Sequence, residues 1–166
     1  DLGSTTIAAH LCDLRTGRVV HSIGVMNPQI RFGEDLMSRV SYAMMNSSGT
    51  EDLKSVVQES LNEMCKQMIS ESNICAKQIV EITLVCNPVM HHLLLGINPT
   101  ELGQAPFALA TSDSLYLYSS ELGLTSLENS KVYILPCIAG HVGADAAAVV
   151  LSETPNESSE NVLIID

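Results

Sequence analysis

Aromatic and basic residues are scarce in this sequence of 166 residues. It contains no Trp, two Phe and four Tyr, and eight Lys and Arg stand against 19 Asp and Glu, for a formal net charge of −11. The basic residues are scattered and form no stripe. Because nucleic-acid binding needs clustered positive charge, this composition argues against a nucleic-acid partner. An acidic protein can still bind a nucleotide when backbone N–H groups and Mg²⁺ supply the positive potential.

Closely spaced cysteines and long apolar runs are also missing. No C-x-x-C pair occurs among the five cysteines, which are Cys12, Cys65, Cys75, Cys86 and Cys137. Most of them lie in apolar runs, so we expect small buried thiols in a reducing compartment. No apolar run approaches the roughly 20 residues that span a bilayer. We therefore expect a soluble, cytoplasmic protein with no membrane segment, and the 46% apolar content is enough for a sizeable core.

The first part of the sequence predicts a β-hairpin. Residues 5–14 and 19–27 are β-tolerant runs on either side of the turn "RTGR", which is typical of two antiparallel strands. Residues 27–35, "NPQIRFGED", contain Asn-Pro and Gly and predict a loop. This loop carries Arg31, Glu34 and Asp35, which face either solvent or a cleft.

Two helices are predicted after the loop. Leu36, Val40 and Met44 recur every four residues, which is helical spacing. We expect Thr50 to cap a second helix that runs to about residue 71. The apolar stripe of this second helix consists of Leu53, Val57, Leu61, Met64 and Met68.

The second half predicts strands that alternate with helices. Residues 79–87 and 131–138 are almost continuously apolar, which is typical of parallel strands covered on both faces. A short strand is predicted at 115–118. Helices are expected at 87–96 and at 139–153, the second of which begins after two glycines.

The predicted helix at 87–96 has clear end signals and two unusual residues. Asn87 is the expected N-cap, Pro88 occupies the first helical position and Gly96 ends the helix. Asn87 also closes a parallel strand, at the edge of the sheet where ligands gather in open α/β folds. His91 and His92 are adjacent on the helix, so we expect them to point in different directions and to serve packing or a partner contact, not a shared metal.

The two ends of the sequence have matching character. Residues 1–6, "DLGSTT", look like the end of a strand that runs into a tight turn, and residues 162–166, "VLIID", are an apolar strand that finishes in Asp. A carboxylate, a glycine and three hydroxyls suit a phosphate and its metal ion, although an ordinary hairpin turn is a competing interpretation. We infer a fragment of an internally duplicated protein, with one unit at 1–153 and a connector plus the first strand of a second unit at 154–166.

The element order, with Asp-x-Gly-x-Thr after the first strand, resembles the ATPase superfamily of actin, sugar kinases and heat-shock chaperones (ASKHA). The resemblance implies a ribonuclease-H-like, three-layer α/β half with a mixed sheet and flanking helices. In that superfamily two such halves enclose Mg-ATP. The resemblance assigns Gly3, Ser4, Thr5 and Thr6 to the first phosphate loop and Gly143 to the segment that connects the halves. Asn87, at the strand edge, is a further expected nucleotide contact.

The same resemblance assigns the metal and the chemistry. It implies that Asp1 and Asp166 hold Mg²⁺ mostly through waters, since this ion sheds water reluctantly. Asp1 and Asp145 are the expected catalytic carboxylates, Asp145 as the group that orients the attacking water. Asp145 could equally be a helix cap beside Gly143.

Three blocks narrow the resemblance to one family. They are "NPQIRFGEDLMSRVSYA" (27–43), "NPVMHHLLLGINPTELGQAPF" (87–107) and "LPCIAGHVGADAAAVVL" (135–151). They resemble the ATP-dependent reductive activators of corrinoid proteins. This implies that ATP hydrolysis drives reduction of cob(II)amide to cob(I)amide on a corrinoid methyl-transfer protein. The electron would come from a 2Fe-2S cluster in a ferredoxin domain outside this stretch, and the other partners would be the second ASKHA subdomain and, in a homodimer, a second copy.

Two other functions fit the same phosphate loop. One is a small-molecule kinase of the sugar-kinase type, which needs a substrate base in the second half and no ferredoxin domain. The other is a non-enzymatic module whose nucleotide only gates partner binding. In each case we expect the 166 residues alone to be inactive as an ATPase.

Overall fold

Two small sheets and four α-helices make up residues 1–127 and 130–163, the part of the chain that the computed structural model describes. The strands are β1 (Thr6–Asp13), β2 (Arg18–Met26), β3 (Glu81–Leu84), β4 (Leu115–Tyr118) and β5 (Lys131–Ile134). The α-helices are α1 (Leu36–Met45), α2 (Gly49–Ser72), α3 (Pro88–Leu95) and α4 (Ala144–Glu153). This is a mixed α/β fold, as the sequence predicts.

The hairpin forms where the sequence predicts it. β1 and β2 pair antiparallel from Thr6 opposite Met26 to Asp13 opposite Arg18. The chain reverses through a turn in which Gly17 donates to the Asp13 carbonyl at 2.8 Å and adopts a φ of +69°, a conformation that favours glycine.

The second sheet has the order β3-β5-β4, with β3 parallel and β4 antiparallel to the central β5. The parallel strands and the short strand at 115–118 are thus confirmed. The prediction that both faces are covered is wrong. Leu84 and Val132 are buried on one face, whereas Thr83, Lys131 and Tyr116 are exposed on the other, because the helices that pack on this sheet cover a single face.

The two sheets are joined at Leu2, which is fully buried. Leu2 forms an antiparallel bridge with Ile7 of β1 and a parallel bridge with Cys86, and its N–H donates to the Val85 carbonyl at 2.8 Å. Beside this bridge, an apolar cleft of about 510 Å³ separates β1 from β3.

The core lies between the helices and the inner faces of both sheets. All five residues of the predicted stripe of α2 are buried, so that prediction is confirmed. Thr50 does not cap α2. Ser48 occupies the N-cap position because the Gly49 N–H already closes a turn onto the Asn46 carbonyl at 2.9 Å, which starts the helix two residues earlier than predicted.

Other boundaries differ from the predictions. The expected loop at 27–35 contains a 3₁₀ helix, Pro28–Phe32, and in α1 Val40 is buried but Met44 is 61% exposed. The last predicted helix begins at Ala144, since residues 139–142 form a tight turn of their own. The remaining 3₁₀ helices are Ala76–Gln78, Thr100–Gly103, Ser119–Leu122 and Pro155–Glu157.

The cysteines are less buried than the sequence predicts. Cys86 and Cys137 are buried and Cys65 is half-buried, whereas Cys12, near the end of β1, and Cys75, in a surface turn, are exposed. All five thiols are free. Within the described residues, no helix combines the length and the apolar character that crossing a membrane requires.

Candidate functional site

Three segments that the sequence singles out meet at the carboxyl ends of β3 and β5. The first is residues 1–6, called the 1–6 loop below, which reaches Cys86 through the bridge at Leu2. The second is Asn87 with the start of α3, which follows β3. The third is the start of α4, where the Ala144 N–H donates to the Cys86 carbonyl at 3.0 Å. Gly143 permits this approach, because a Cβ there would lie 2.6 Å from the Cys86 carbonyl oxygen and from the Asn87 Cα. Neighbouring parallel strands bring their following loops to one edge, which explains the convergence.

The carbonyl groups of the 1–6 loop are held from the inside of the protein. The side-chain amide of Asn27 donates to the Gly3 carbonyl at 2.8 Å, and its backbone N–H donates to the Thr5 carbonyl at 2.8 Å. Between them, Nη2 of Arg39 donates to the Ser4 carbonyl at 2.5 Å. Three consecutive peptide groups are therefore fixed in orientation.

The N–H groups of the same loop have no such partners. Within the described residues, the amides of Gly3, Ser4 and Thr5 donate to no acceptor, while the side chains of Thr5 and Thr6 are exposed. A Cβ on Gly3 would lie 2.6 Å from the Thr6 carbonyl oxygen, so the turn requires glycine there. Successive free amides beside hydroxyl groups are an arrangement that binds anions.

A buried polar network supports the loop. Asn27, Gln29 and Arg39 are each fully buried. The Gln29 side chain accepts from Arg39 Nη1 at 3.2 Å and donates to the Leu53 carbonyl at 2.9 Å, while its N–H donates to Asn27 Oδ1 at 2.9 Å. Burial lowers the pKa of Arg39, although an arginine remains protonated in proteins.

Sequence reasoning missed this network. Asn27, Gln29 and Arg39 all lie in a segment predicted as a loop and an amphipathic helix, where polar residues are expected to face solvent. The one available signal was Asn27 before Pro28, which is typical of a helix cap. Nothing in the spacing indicates that these side chains turn inward toward residues 3–5.

Arg31, Glu34 and Asp35 lie on the surface of this region. Asp35 caps α1, accepting from the Ser38 N–H at 2.7 Å, and the Arg31 guanidinium lies 4.9 Å from the centre of the Phe32 ring. Asp35 and Arg31 thus serve local structure.

Asn87 is the N-cap of α3, as predicted, and its Oδ1 accepts from the Met90 N–H at 3.0 Å. The predicted contact of Asn87 with a nucleotide stays a prediction. The same holds for Gly143, whose role in packing α4 against Asn87 is described above.

The three predicted carboxylates have different surroundings. Asp1 is exposed, and Asp145 is half-buried and accepts from the N–H of Ala146 at 2.8 Å. The charge of Asp145 contributes to the raised pKa values of Cys86 and Cys137, after the larger effect of burial. Asp166 lies outside the described residues. Within those residues, no three His, Cys, Asp or Glu side chains come together as a metal site.

His91 and His92 are buried and neutral. Nδ1 of His92 lies 2.9 Å from the Pro88 carbonyl and donates to it, while Nε2 accepts from the Ala110 N–H at 3.0 Å. Burial, and then the neighbouring His92, lowers the pKa of His91 to about 4. Packing is thus their role in this structure. The prediction that the two side chains point in different directions is wrong for the rings. Their Cα–Cβ bonds diverge on the helix, but the Nδ1 atoms of the two rings are only 3.4 Å from each other.

Fold and loop together define an α/β unit with a row of free amides at the carboxyl edge of its parallel strands. Residues 1–157 match the family model described as the RACo middle region, and the chain belongs to this family. The family resemblance seen in the sequence is thereby confirmed.

Two relatives extend this result. The chain is 30% identical over 164 residues to the corrinoid activation enzyme RamQ of Eubacterium limosum, which covers 99% of this chain and 28% of that protein. It also matches the solved structure of a reductive activator for corrinoid, iron-sulfur protein, with a TM-score of 0.89 and 32% identity over 95% of this chain and 25% of the other. The chain spans about a quarter of the length of these relatives.

Proposed function

We propose that this chain is the first subdomain of the ATP-hydrolysing unit of a corrinoid-protein reductive activator. In this proposal residues 1–153 form a ribonuclease-H-like ASKHA half, and residues 154–166 lead into a second half. The full-length protein uses ATP to return cob(II)amide to cob(I)amide on a corrinoid methyl-transfer protein. Membership of the RACo middle-region family and the names of the two relatives support this role.

The observation that carries the proposal is the 1–6 loop, whose carbonyls are fixed and whose amides are free. The amides of Gly3, Ser4 and Thr5 and the hydroxyls beside them would contact the β- and γ-phosphates. Asp1 and Asp166 would hold Mg²⁺ largely through waters, which suits a lone exposed carboxylate at Asp1. When bound, the ion neutralises phosphate charge.

Asn87, Gly143 and Asp145 complete the proposed site from the second and third segments. Asn87 and Gly143 would line the nucleotide at the strand edge, and Asp145 would orient the attacking water. The contact of Asp145 with the Ala146 N–H keeps its carboxylate at the start of α4, next to this edge.

The cysteines of this chain do not suit an iron–sulfur cluster. Such a cluster takes four thiolates at one point, whereas no three metal-binding side chains meet within residues 1–127 and 130–163, which include all five cysteines. Burial also raises the pKa of Cys65 to about 11 and raises that of Cys86, so these thiols stay protonated. In this proposal the 2Fe-2S cluster belongs to another domain of the full-length protein.

An absorption spectrum of the full-length protein, purified without air, tests the function. The expected result is a plant-type iron–sulfur spectrum that one-electron reduction bleaches, together with cob(II)amide reduction that requires ATP. A colourless, iron-free protein would remove the electron path and favour a kinase.

A further inference from the structure

Arg39 is the largest fully buried side chain of the described residues, and none of the ion pairs in that part of the chain includes it. Its hydrogen-bond acceptors are all neutral. Nε donates to the Gly33 carbonyl at 3.1 Å, Nη1 to Gln29 Oε1 at 3.2 Å and Nη2 to the Ser4 carbonyl at 2.5 Å. A full positive charge therefore lies inside the protein on uncharged partners.

An uncompensated buried charge is costly to desolvate, and its field is strong because the surroundings screen it little. The exposed carboxylate of Asp35, four residues earlier, compensates it only partly. The guanidinium contacts the inner side of the same peptide groups whose N–H groups are free. Its field adds to that of these amides, and both favour an anion bound at the loop.

We propose that Arg39 is a positioning residue that holds the Ser4 carbonyl inward and whose charge makes the 1–6 loop select the phosphate groups of a nucleotide. The ligand class is a nucleoside di- or triphosphate, in preference to the uncharged nucleoside. This inference rests on the proposed nucleotide function of the loop. Arg39 itself does not contact the ligand.

Asn27 provides the internal comparison. It holds the Gly3 carbonyl at 2.8 Å, just as Arg39 holds that of Ser4, and both side chains contact Gln29 and the sulfur of Met90. Asn27 carries no charge. It can therefore order the loop, whereas Arg39 both orders the loop and attracts an anion.

The experiment is calorimetric titration of the full-length protein with Mg-ATP, Mg-ADP and adenosine. Arg39→Gln should weaken both magnesium nucleotides at least tenfold and change adenosine affinity by less than twofold. Arg39→Lys keeps the charge but not the contact with Ser4, so it should lose less nucleotide affinity than Arg39→Gln. Arg15→Gln, which removes a positive charge from the exposed hairpin turn, should leave all three affinities unchanged.

Hydrogen exchange of the peptide that covers residues 1–8 separates positioning from folding, and it needs no nucleotide. Both Arg39→Gln and Arg39→Lys should exchange faster at the bonded amides of Leu2 and Ala8, which flank the loop, because neither side chain can hold Gly33, Gln29 and Ser4 together. Peptides from α2 should exchange at the wild-type rate. If Arg39→Gln does not fold, the lysine variant alone decides, through this exchange measurement.

The possible failures can be told apart. Wild-type nucleotide affinity in Arg39→Gln, an equal loss for adenosine and Mg-ATP, or unchanged exchange at residues 1–8 would overturn the role of Arg39. If the wild type binds no magnesium nucleotide, the proposed function fails and the selection of phosphates fails with it. In that case, faster exchange in the Arg39 variants would still show that Arg39 holds the 1–6 loop in place.

Discussion

α3 and α4 begin at the same edge of one sheet, directly after the parallel strands β3 and β5, yet their burial is opposite. Seven of the eight residues of α3 are buried, whereas in α4 only Ala144 is. Both helices are rich in apolar residues, and Leu151 of α4 is 73% exposed. Apolar content therefore does not decide burial here. α3 packs against α2, and α4 touches the described residues mainly through its first turn.

The difference has a consequence for the site. α3 and its N-cap Asn87 are held by packing in the core. Asp145, in contrast, lies on α4, a helix that has few contacts with the described residues. In the proposed two-half protein, α4 is the segment that crosses toward the second half, so its exposed apolar side chains fit a place at that boundary.

Truncating a leucine in each helix tests the comparison most strongly. Leu93→Ala in α3 should lower the free energy of unfolding by about 3 kcal/mol, because it leaves a cavity in the core. Leu151→Ala, the matched change in α4, should cost less than about 0.5 kcal/mol in the isolated 166 residues, where this side chain is exposed. Urea denaturation measures both, and equal losses would contradict the account.

Acid should destabilise α3 through His91. Its pKa in the folded protein, about 4, lies below the reference value of 6.5, so the unfolded chain binds more protons between these values. The stabilising contribution is complete above pH 6.5 and is lost as the pH falls toward 4, at most about 3 kcal/mol in all.

His91→Met should flatten this part of the pH dependence of the free energy of unfolding. Leu94→Met, a volume-conserving change at another buried position of α3, serves as the control and should keep the wild-type slope. Identical slopes in wild type and His91→Met between pH 7 and 4 would show that His91 does not titrate as described.

Removing the cap of α3 should have a smaller effect than truncating Leu93. Asn87→Ala loses the acceptor for the Met90 N–H and should cost about 1 kcal/mol. Asn87→Asp keeps an acceptor and should retain stability, but its charge should weaken Mg-ATP binding if Asn87 lines the nucleotide. Thermal unfolding measures the stability of both variants. If Asn87→Ala is as stable as the wild type, the cap does not contribute to the stability of α3.

Local signals explain why much of this fold could be predicted. Three predicted features depend on residues that are close together in the chain, and the structure has all three. They are the hairpin turn, the apolar stripe of α2, and the Asn-Pro and Gly residues that begin and end α3. The exposed sheet face and the exposure of α4 could not be predicted, since burial depends on which elements pack against a strand or helix and not on its own apolar content.

The site was predictable only in part for the same reason. The 1–6 loop is a contiguous motif, so residues 1–6 stand out in the sequence. The side chains that fix it, Asn27 and Arg39, are brought to the loop by the turn of the hairpin and by the packing of α1. Their sequence separation from Ser4 reaches 35 residues, and no local pattern records such a contact.

Titration of the full-length protein with Mg-ATP, in wild type and in Gly3→Ala, tests the central claim most directly. The added Cβ would lie 2.6 Å from the Thr6 carbonyl oxygen and must displace the 1–6 loop. Gly24→Ala is the matched control, because its Cβ would have its nearest neighbour at 3.9 Å. We predict that the wild type and Gly24→Ala bind equally and that Gly3→Ala binds at least tenfold more weakly. Equal affinity in all three proteins, or no binding by the wild type, would contradict the claim that this loop binds the phosphates.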